Sequence, residues 1–456
     1  MNTFLSNFSK TILLFVFICL VASGCKDDEN VTPDNNNLVN NNDAEVPMAW
    51  MNLFLEMDRY TQDFRPVPVA RALAYINLAA YESVMKGMPD FKSLKDVMVG
   101  LDMPAAENKE YHYPTVVNTV YANLFKRFIP SGYILNDHQS ELQFEILALQ
   151  ESFNESFRNQ VGAEIFNRSV AHGETVANAV WNWSRTDVFG HDGHVNARPN
   201  GYTPPSGPGL WQPTPPDFSA ALFPYWGKVR TFAISETEKL ARPPLVFSQD
   251  PSSQLYVQAL EVRNAVNNLQ SNDQWIADFW SDDYVGLTFS PSSRWISITS
   301  QILKGNNYDL ETALYAYAKV SFALNDAGVA AWHSKYHYNV ERPVSYIRRV
   351  FEPDWATYLS TNPSFPAYPS GHATFGAAAA EVLSHIFGYD YHMTDTSHEG
   401  RTEFLGMPRT FDTFYQMAEE NAYSRLPAGV HFRMDYEEGL RLGYQVGRKI
   451  NSMPFK

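Results

Sequence analysis

The stretch PVARALAYINLAAYESV, residues 68–84, indicates the fold class most directly. Its apolar side chains recur every three to four positions and share one face of a helix, formed by Leu73, Ile76, Ala80 and Val84. Pro68 suits a first helical turn, and Gly87 supplies a stop after the last one. The same 3.6-residue pattern recurs further along the chain, at 141–161, 165–184, 255–269 and 312–333. Valine-rich alternating strands are scarce, so the sequence predicts an all-α protein.

The segment 199–216 contains seven prolines and three glycines, with Trp211 among them. Proline removes a backbone donor and fixes φ, so this stretch cannot be a helix or a central strand. We therefore predict an ordered excursion over the surface, and long Pro/Gly-rich loops between the helices.

The composition excludes several classes of protein. The chain has 456 residues, and its 35 Lys and Arg against 50 Asp and Glu give a net charge of −15. A nucleic-acid partner is excluded, because such proteins need a basic face. A mean hydropathy of −0.31 excludes a multi-span membrane protein. The two cysteines, Cys19 and Cys25, exclude a disulfide framework or a cysteine-based metal site.

The N-terminal segment resembles a bacterial lipoprotein signal. An apolar run, Thr11–Val21, ends in the small residues that precede Cys25. Cleavage would remove residues 1–24, and two acyl chains on Cys25 would anchor the protein to a membrane. The alternative is a simple secretory signal with an incidental cysteine. Residues 25–45 are polar and lack an apolar period, so we expect a tether there and a helical domain over 46–456.

The charged run after the cysteine, Lys26-Asp27-Asp28-Glu29, resembles the export tag of bacterial surface lipoproteins. A solvated tether would also be acidic, which is the simpler interpretation of the same residues. The expected location is the bacterial envelope, lipid-anchored at the outer membrane on its periplasmic or cell-surface face.

Three C-terminal segments carry candidate chemistry, and the first runs from Lys335 to Arg342 and Pro343. Seven residues are nearly two helical turns, so on one helix the two cations point the same way. Two cations on one face either bind an anion together or lie on a solvated surface. Taken alone, the surface interpretation is the commoner one.

The second segment is Pro369-Ser370-Gly371-His372, followed by a run of small helix-forming residues. Ser370 is a natural N-cap, and Gly371 lets its backbone N–H approach a ligand closely. A helix N-terminus offers free N–H donors and a positive dipole end, which together favour an anion. His372 in the first turn could exchange protons with that anion. The alternative is an ordinary helix cap with an exposed histidine.

The third segment contains Ser424-Arg425, His431 and Asp435. Pro427 and Gly429 break the helix, so Arg425 and His431 can converge from a turn. Asp435 lies one helical turn past His431, where a carboxylate can fix the tautomer of the imidazole. The alternative is a loop salt bridge between Arg425 and Asp435. Together the three segments suit a tetrahedral oxyanion, with one histidine left to attack or ligate its central atom.

The three segments resemble motifs of the superfamily of vanadium-dependent haloperoxidases and type 2 phosphatidic-acid phosphatases. Over residues 335–435 they are, in order, Lys-x₆-Arg-Pro, Pro-Ser-Gly-His and Ser-Arg-x₅-His-x₃-Asp. The resemblance implies paired helical bundles. It also implies a set of residues that hold the oxyanion, namely Lys335, Arg342, Ser370, Gly371 and Arg425. His431 would bond the central atom, and His372 would be the acid–base group.

The same pocket serves two chemistries in this superfamily. In a haloperoxidase with vanadate, His431 would ligate vanadium and Lys335 would polarise bound hydrogen peroxide. A halide would attack that peroxide to give hypohalous acid, which reacts with a small organic acceptor. In an acid phosphatase, which takes phosphate in place of vanadate, His431 would attack phosphorus and His372 would protonate the leaving oxygen.

Two aromatic residues favour the haloperoxidase. Trp332 and Phe365 match the aromatic pair near the halide site of chloroperoxidase-type members, although both are equally explained as core aromatics. The length of the chain also resembles the long soluble haloperoxidases. The non-enzyme alternative is a surface lipoprotein that binds anions without turnover, but two histidines and Asp435 exceed what anion capture needs.

Two further clusters are weaker candidates. Trp280-Ser281-Asp282-Asp283 resembles the family region that supplies a carboxylate partner to the acid–base histidine, although an exposed helix-end pair is the commoner meaning of Asp-Asp. His191-Asp192-Gly193-His194 could chelate a divalent ion, but its glycine makes a turn the better interpretation.

Overall fold

The computed structural model describes residues 37–129, 131–135, 137–282 and 284–456. The predicted signal peptide, Cys25 and Asp283 lie outside these residues, so their assignments stay predictions. Within the described part, 56% of the chain is helical and the strands form one two-stranded sheet. The all-α prediction is confirmed.

Six α-helices form the first half of the described chain: α1 (Glu45–Arg59), α2 (Val67–Glu82), α3 (Tyr113–Phe128), α4 (Gln139–Ser184), α5 (Gln254–Asn267) and α6 (Ser271–Phe279). Six more follow: α7 (Pro291–Gly305), α8 (Leu310–Tyr338), α9 (Pro343–Val350), α10 (Gly371–Phe387), α11 (Phe414–Tyr423) and α12 (Arg433–Asn451). Strands β1 (Met393–Asp395) and β2 (Arg409–Phe411) pair antiparallel. Helix α4 is interrupted at Gly162, whose φ of 76° is not helical, as the gap between the two predicted segments indicated.

Helix α8 is the centre of the fold. Every residue from 316 to 332 is buried, because α2, α10, α12 and α7 pack around it. A helix that is apolar or small on all sides cannot face water, so it occupies the core. Its C-terminal end delivers Trp332 and Lys335 into the interior.

The compact unit begins at Leu38, earlier than the predicted domain start at 46. Residues 38–45 were assigned to the tether because they lack an apolar period. Val39 is nevertheless fully buried, and the carbonyl of Asn42 accepts a hydrogen bond from the N–H of Leu310 at 2.8 Å. Backbone pairing with α8 therefore holds a segment that has only two core residues, Val39 and Ala44.

The proline-rich segment 199–216 contains neither helix nor strand, as predicted, but it is not purely a surface excursion. Trp211 is fully buried, and its backbone N–H donates to the carbonyl of Asn339 at 2.7 Å. The N–H of Glu341 in turn donates to the carbonyl of Gly209 at 2.9 Å. The loop thus holds the link between α8 and α9, which carries Arg342.

Helices α10 and α12 approach each other closely through one stripe of glycines, Gly439, Gly443 and Gly447. A Cβ atom on Gly439 would lie 2.8 Å from the carbonyl oxygen of Ser370, and one on Gly447 would lie 2.7 Å from that of Ala378. Both distances are too short for any side chain, so only glycine allows this separation. The spacing matters because α10 begins next to His372 and α12 begins just after His431.

No helix in the described ranges combines the length and apolar character needed to cross a bilayer.

Candidate active site

A cavity lies at the N-terminus of α10, enclosed by segments that are distant in the sequence. Its lining includes Pro66, Pro291, Trp332, Phe365, Gly371, His372, Arg425 and His431. The second and third motifs supply Gly371, His372, Arg425 and His431 to this space, whereas Lys335 and Arg342 of the first motif do not line it. Lys335, Arg342 and Ser370 are fully buried directly behind these walls.

Lys335 and Arg342 do not share a helix, contrary to the sequence prediction. Helix α8 ends at Tyr338, Asn339 adopts the left-handed conformation with φ 49°, and Arg342 is the N-cap residue of α9. The two cations still converge, because the turn brings the chain back toward α8. Both side chains are 0% exposed, which rejects the solvated-surface alternative.

The ammonium group of Lys335 is held by three backbone carbonyls. Its Nζ donates to the oxygens of Pro366 at 2.9 Å, Ala367 at 2.9 Å and Pro369 at 2.6 Å. An ammonium group has three donors, so these bonds engage all of them. Lys335 therefore fixes the loop that leads into Ser370, and it contributes positive charge to the site from behind that loop.

Arg342 connects the other walls. Its Nε donates to the carbonyl of Phe365 at 3.0 Å, and its Nη1 donates to that of Val430 at 2.9 Å. The same Nη1 lies 3.3 Å from Nε2 of His431. The guanidinium thus ties the loop before α10 to the turn before α12.

The start of α10 has the predicted cap. The Ser370 hydroxyl accepts from the N–H of Ala373 at 3.4 Å, and the N–H of Ser370 donates to the carbonyl of Asp435 at 2.9 Å. Gly371 and His372 occupy the first turn, whose N–H groups have no intrahelical acceptor. These donors and the positive end of the helix dipole border the cavity, where they favour an anion.

His431 is oriented by Asp435, as predicted. Its Nδ1 lies 3.0 Å from Oδ2 of Asp435, and that oxygen also accepts from the N–H of Phe432 at 2.9 Å. Arg342 can only donate to Nε2, so the ring hydrogen belongs on Nδ1 and the lone pair belongs on Nε2. That lone pair, next to the cavity, is the group that can attack or ligate a central atom.

Burial and the clustered cations shift the protonation equilibria of the site. Burial, followed by the charges of Arg342 and Lys335, holds the pKa of His431 well below its usual value. Burial also lowers the pKa of His372, with Arg425 as the next cause. Conversely, burial raises the pKa of Asp435 to about 7, although Lys335 and Arg342 oppose the shift. A negatively charged ligand would offset the repulsion among these buried cations.

Arg425 is placed by the segment before α7. Its Nη2 donates to the carbonyl of Trp280 at 2.7 Å, and its Nε donates to the hydroxyl of Ser424 at 3.0 Å. Gly429, with φ 85°, makes the turn that separates Arg425 from His431. Asp435 is engaged by His431, rather than in the loop salt bridge with Arg425 that the sequence left open.

Asp282 serves a different network from the one the sequence suggested. Its carboxylate lies 3.1 Å from Nη2 of Arg294 and 3.6 Å from Nε2 of His398. Arg294 is fully buried and also pairs with Asp395 at 3.3 Å. The backbone N–H of Asp282 donates to the Trp280 carbonyl at 3.0 Å, and this carbonyl is the one that accepts from Arg425. The other candidate partner of His372, Asp283, lies outside the described residues.

Trp332 and Phe365 both line the cavity, with ring centroids 4.8 Å apart. Nζ of Lys335 lies 5.1 Å from the Phe365 ring, and the guanidinium carbon of Arg342 also lies 5.1 Å from it. The pair forms an aromatic wall beside two cations. Trp332 also belongs to the main hydrophobic core, against which Phe365 packs, so the core interpretation of both residues stays open.

The segment 191–194 forms a turn, in agreement with the preferred interpretation, and it lines a separate cavity with Arg71 and Trp181. Among the described residues, no group of three or more His, Cys, Asp or Glu side chains is arranged to hold a metal ion.

Sequence reasoning missed the residues that position the site from far away. Pro66, Pro291 and Arg294 precede the three motifs, and nothing in their local spacing links them to the cavity. The signal that could have found Arg294 is a cation directly before the apolar pair Trp295 and Ile296 in the first turns of α7. The carbonyl groups that bind Lys335 and Arg342 carry no sequence signal at all.

Comparison with known proteins agrees with this geometry. Residues 315–454 match the model of the VCPO second helical-bundle domain, which includes all three motifs. The structure of a bacterial vanadium-dependent iodoperoxidase superposes with a TM-score of 0.78, at 28% identity, and covers 90% of this chain and 96% of that one. The chain is thus similar to the vanadium haloperoxidases in sequence over its C-terminal bundle and in fold over most of its length.

Other vanadium haloperoxidases match this chain over a shorter stretch or at lower identity. The vanadium chloroperoxidase of Curvularia inaequalis is 26% identical over 277 residues, which is 46% of this chain and 46% of that protein. The vanadium-dependent bromoperoxidase of Ascophyllum nodosum is 34% identical over 94 residues, 19% of this chain and 17% of its own. The matched regions thus span at most about half the length of these curated relatives. A bacterial vanadium-dependent chloroperoxidase shares the fold, with a TM-score of 0.60 at 16% identity over 85% of this chain and 91% of its own.

Proposed function

We propose that this protein is a vanadate-dependent haloperoxidase, which uses hydrogen peroxide to oxidise a halide to hypohalous acid. The observation that carries the proposal is the convergence of Lys335, Arg342 and Arg425 with the start of α10 and a histidine whose Nε2 lone pair lies next to the cavity. The donor set fits a tetrahedral oxyanion, because buried cations and the first turn of α10 lie around one space. The relatives named above are vanadium enzymes, which supports vanadate as that oxyanion.

Each residue has a role that follows from its position. Nε2 of His431 would bond the central vanadium atom, and Asp435 keeps the hydrogen on Nδ1 so that this lone pair is available. Arg342, Arg425 and Lys335 would balance the negative charge. Bound vanadate would supply a Lewis-acidic centre that activates hydrogen peroxide toward a halide.

His372 would hold or release a proton at its imidazole, in the first turn of α10 beside the cavity. Burial and the charge of Arg425 lower its pKa, so the ring is neutral at pH 7, and an anion bound among the cations would increase its basicity. Trp332 and Phe365 would form the halide side of the cavity, where two cations near the rings compensate the charge of an incoming anion.

The decisive experiment compares two activities of one purified protein. With vanadate, hydrogen peroxide and bromide, we expect bromination of a phenol-type dye. Phosphate should inhibit reconstitution by competing with vanadate for the same donors. The opposite result would be hydrolysis of a phosphate ester without vanadate and no halide oxidation when vanadate is added. It would instead identify an acid phosphatase that uses His431 as nucleophile.

We further propose that the protein is lipid-anchored at Cys25 on the bacterial outer membrane. The support is the signal-like segment that precedes Cys25. A Cys25→Ser variant should move to the soluble fraction with unchanged specific activity. Retention of this variant in the membrane fraction would contradict the anchor.

A further inference from the structure

The turn 191–194 lines a cavity that is separate from the candidate active site, and we call it the second cavity. It measures about 230 Å³ and shares no lining residue with the cavity at the start of α10. Its wall combines the aromatic rings of Phe64, Phe128 and Trp181 with two arginines and the two histidines of the turn. The proposed halide chemistry uses none of these residues.

A buried ion pair fixes the turn that carries the two histidines. Nε of Arg71 donates to Oδ2 of Asp187 at 2.8 Å, and its Nη2 donates to the carbonyl of Ser184 at 2.8 Å. The N–H of Gly190 donates to Oδ1 of Asp187 at 3.2 Å. Any Cβ at Gly190 would clash with the same carboxylate, so the turn lies directly against the ion pair. The wall of the second cavity is therefore held in place without a ligand.

The wall presents nitrogen atoms that are accessible and have no hydrogen-bond partner among the described residues. They are Nη1 of Arg71, Nε and Nη1 of Arg127, Nε1 of Trp181, Nε2 of His191 and both ring nitrogens of His194. Nδ1 of His191 is buried and does not belong to this set. Arginine and indole nitrogens can only donate hydrogen bonds. The second cavity therefore suits a ligand that accepts them.

The charges at the second cavity favour an anion. Arg127 forms no ion pair within the described part of the chain: its Nη2 donates to the neutral amide of Asn178 at 2.7 Å, and its guanidinium carbon lies 5.9 Å from the Trp181 ring. Burial lowers the pKa of Arg127, and the charge of Glu174 opposes this shift only in part. Asp192 also lines the cavity, but its side chain is 78% exposed and directed largely to water.

The two histidines add donors without adding charge. Burial lowers the pKa of His194 to about 4. Burial, followed by the charge of Arg71, also lowers the pKa of His191. Both rings are therefore neutral at pH 7, and a neutral imidazole carries one N–H. One uncompensated cation surrounded by neutral donors matches a ligand with a single negative charge.

We propose that the second cavity binds an aromatic monocarboxylate. A carboxylate only accepts hydrogen bonds, and Arg127, Trp181 and His194 can supply them. The ring of the ligand would pack against Phe64 and Phe128. Cavities for drug-sized compounds measure about 300–1,000 Å³, so this smaller one favours a single ring. A divalent cation, which the sequence of the turn suggested, is disfavoured because two arginines on the same wall repel it. The proposal is independent of the proposed haloperoxidase function.

The test is calorimetric titration of the purified full-length protein with benzoate. Saturating inorganic phosphate is present throughout, so that it fills the candidate oxyanion site and keeps benzoate from it. We expect one benzoate per chain. Acetate lacks the ring and benzyl alcohol lacks the charge, so each should bind at least about tenfold more weakly than benzoate.

Two variants and one matched control locate the bound benzoate. Arg127→Gln removes the uncompensated charge and should weaken benzoate binding about tenfold. Trp181→Phe keeps an aromatic ring, removes the indole N–H and should weaken binding about threefold, which keeps the test valid if the arginine variant fails to fold. Arg185→Gln removes an exposed arginine near the turn that does not line the cavity, and its affinity should equal that of the wild type.

No binding of benzoate by the wild-type protein would overturn the proposal. Equal affinities for benzoate and benzyl alcohol would overturn the assignment of an anion, and equal affinities for benzoate and acetate would overturn that of an aromatic ring. Benzoate binding that survives both Arg127→Gln and Trp181→Phe would place the ligand outside the second cavity. An equal loss in Arg185→Gln and Arg127→Gln would show that general surface charge, and not this cavity, attracts benzoate.

Discussion

Replacing Gly439 by alanine should disturb both stability and anion binding, because this glycine sets the distance between the helices that carry the two histidines. The added Cβ would lie 2.8 Å from the Ser370 carbonyl oxygen and 2.8 Å from Cβ of Ala373. Comfortable contacts of carbon with oxygen or carbon are about 3.3–4.0 Å. The helices must therefore separate by roughly 0.5–1 Å, at a cost of about 1–3 kcal/mol in the free energy of unfolding.

The same displacement moves Ser370, the N-cap of α10. A misplacement of about 1 Å at a site can cost on the order of 10²-fold, so we expect phosphate to bind Gly439→Ala roughly tenfold more weakly. Urea denaturation followed by tryptophan fluorescence measures the first effect. Titration calorimetry with inorganic phosphate measures the second.

Two other glycines provide matched controls. Gly447→Ala also places a Cβ too close to α10, 2.7 Å from the Ala378 carbonyl, but at the end of the stripe away from the site. It should lower stability to a similar extent and leave phosphate affinity unchanged. Gly305→Ala meets no atom within 4 Å and should be neutral or slightly stabilising. If Gly439→Ala matched Gly305→Ala in stability and affinity, the close-packing argument would be refuted.

The remaining predictions concern single side chains. The His431→Ala variant should bind vanadate weakly and should not oxidise halide. The His372→Ala variant should keep much of the vanadate affinity, but its rate of halide oxidation should fall by about 10²–10⁴-fold. The opposite pattern would reverse the two roles. Arg342→Ala and Arg425→Ala should each weaken anion binding by about 1.5–3 kcal/mol in the same titration, and unchanged affinity in both would place the anion elsewhere. Burial, followed by the charge of Lys456, lowers the pKa of Lys319 from 10.5 to about 8. Below pH 8 the Lys319→Met variant should therefore be more stable than the wild type, by up to about 3 kcal/mol in the free energy of unfolding. The difference should shrink as the pH rises from 8 to 10.5, and a difference that stays constant would contradict the prediction.

The helices were predictable from sequence because burial of one face imposes a 3.6-residue period on the chain. This period located α2, which was predicted from Pro68 and begins at Val67, and it left a gap where α4 is interrupted at Gly162. It could not locate the start of the compact unit at Leu38, since this segment is attached to α8 by a backbone hydrogen bond at Asn42 and has no apolar stripe. The burial of Trp211 was equally invisible, because it depends on a loop that meets the residues before Arg342.

The candidate anion site was also predictable only in part from the sequence. The sequence by itself determined which chemical groups are available, since a helix cap, a cation pair and a histidine four residues from an aspartate are local patterns. Only the tertiary structure decided where they lie: Lys335 and Arg342 converge across a left-handed turn, and Asp282 pairs with Arg294. Local patterns reflect interactions between residues a few positions apart, whereas the walls of a cavity come from segments that pack together only after the whole chain has folded.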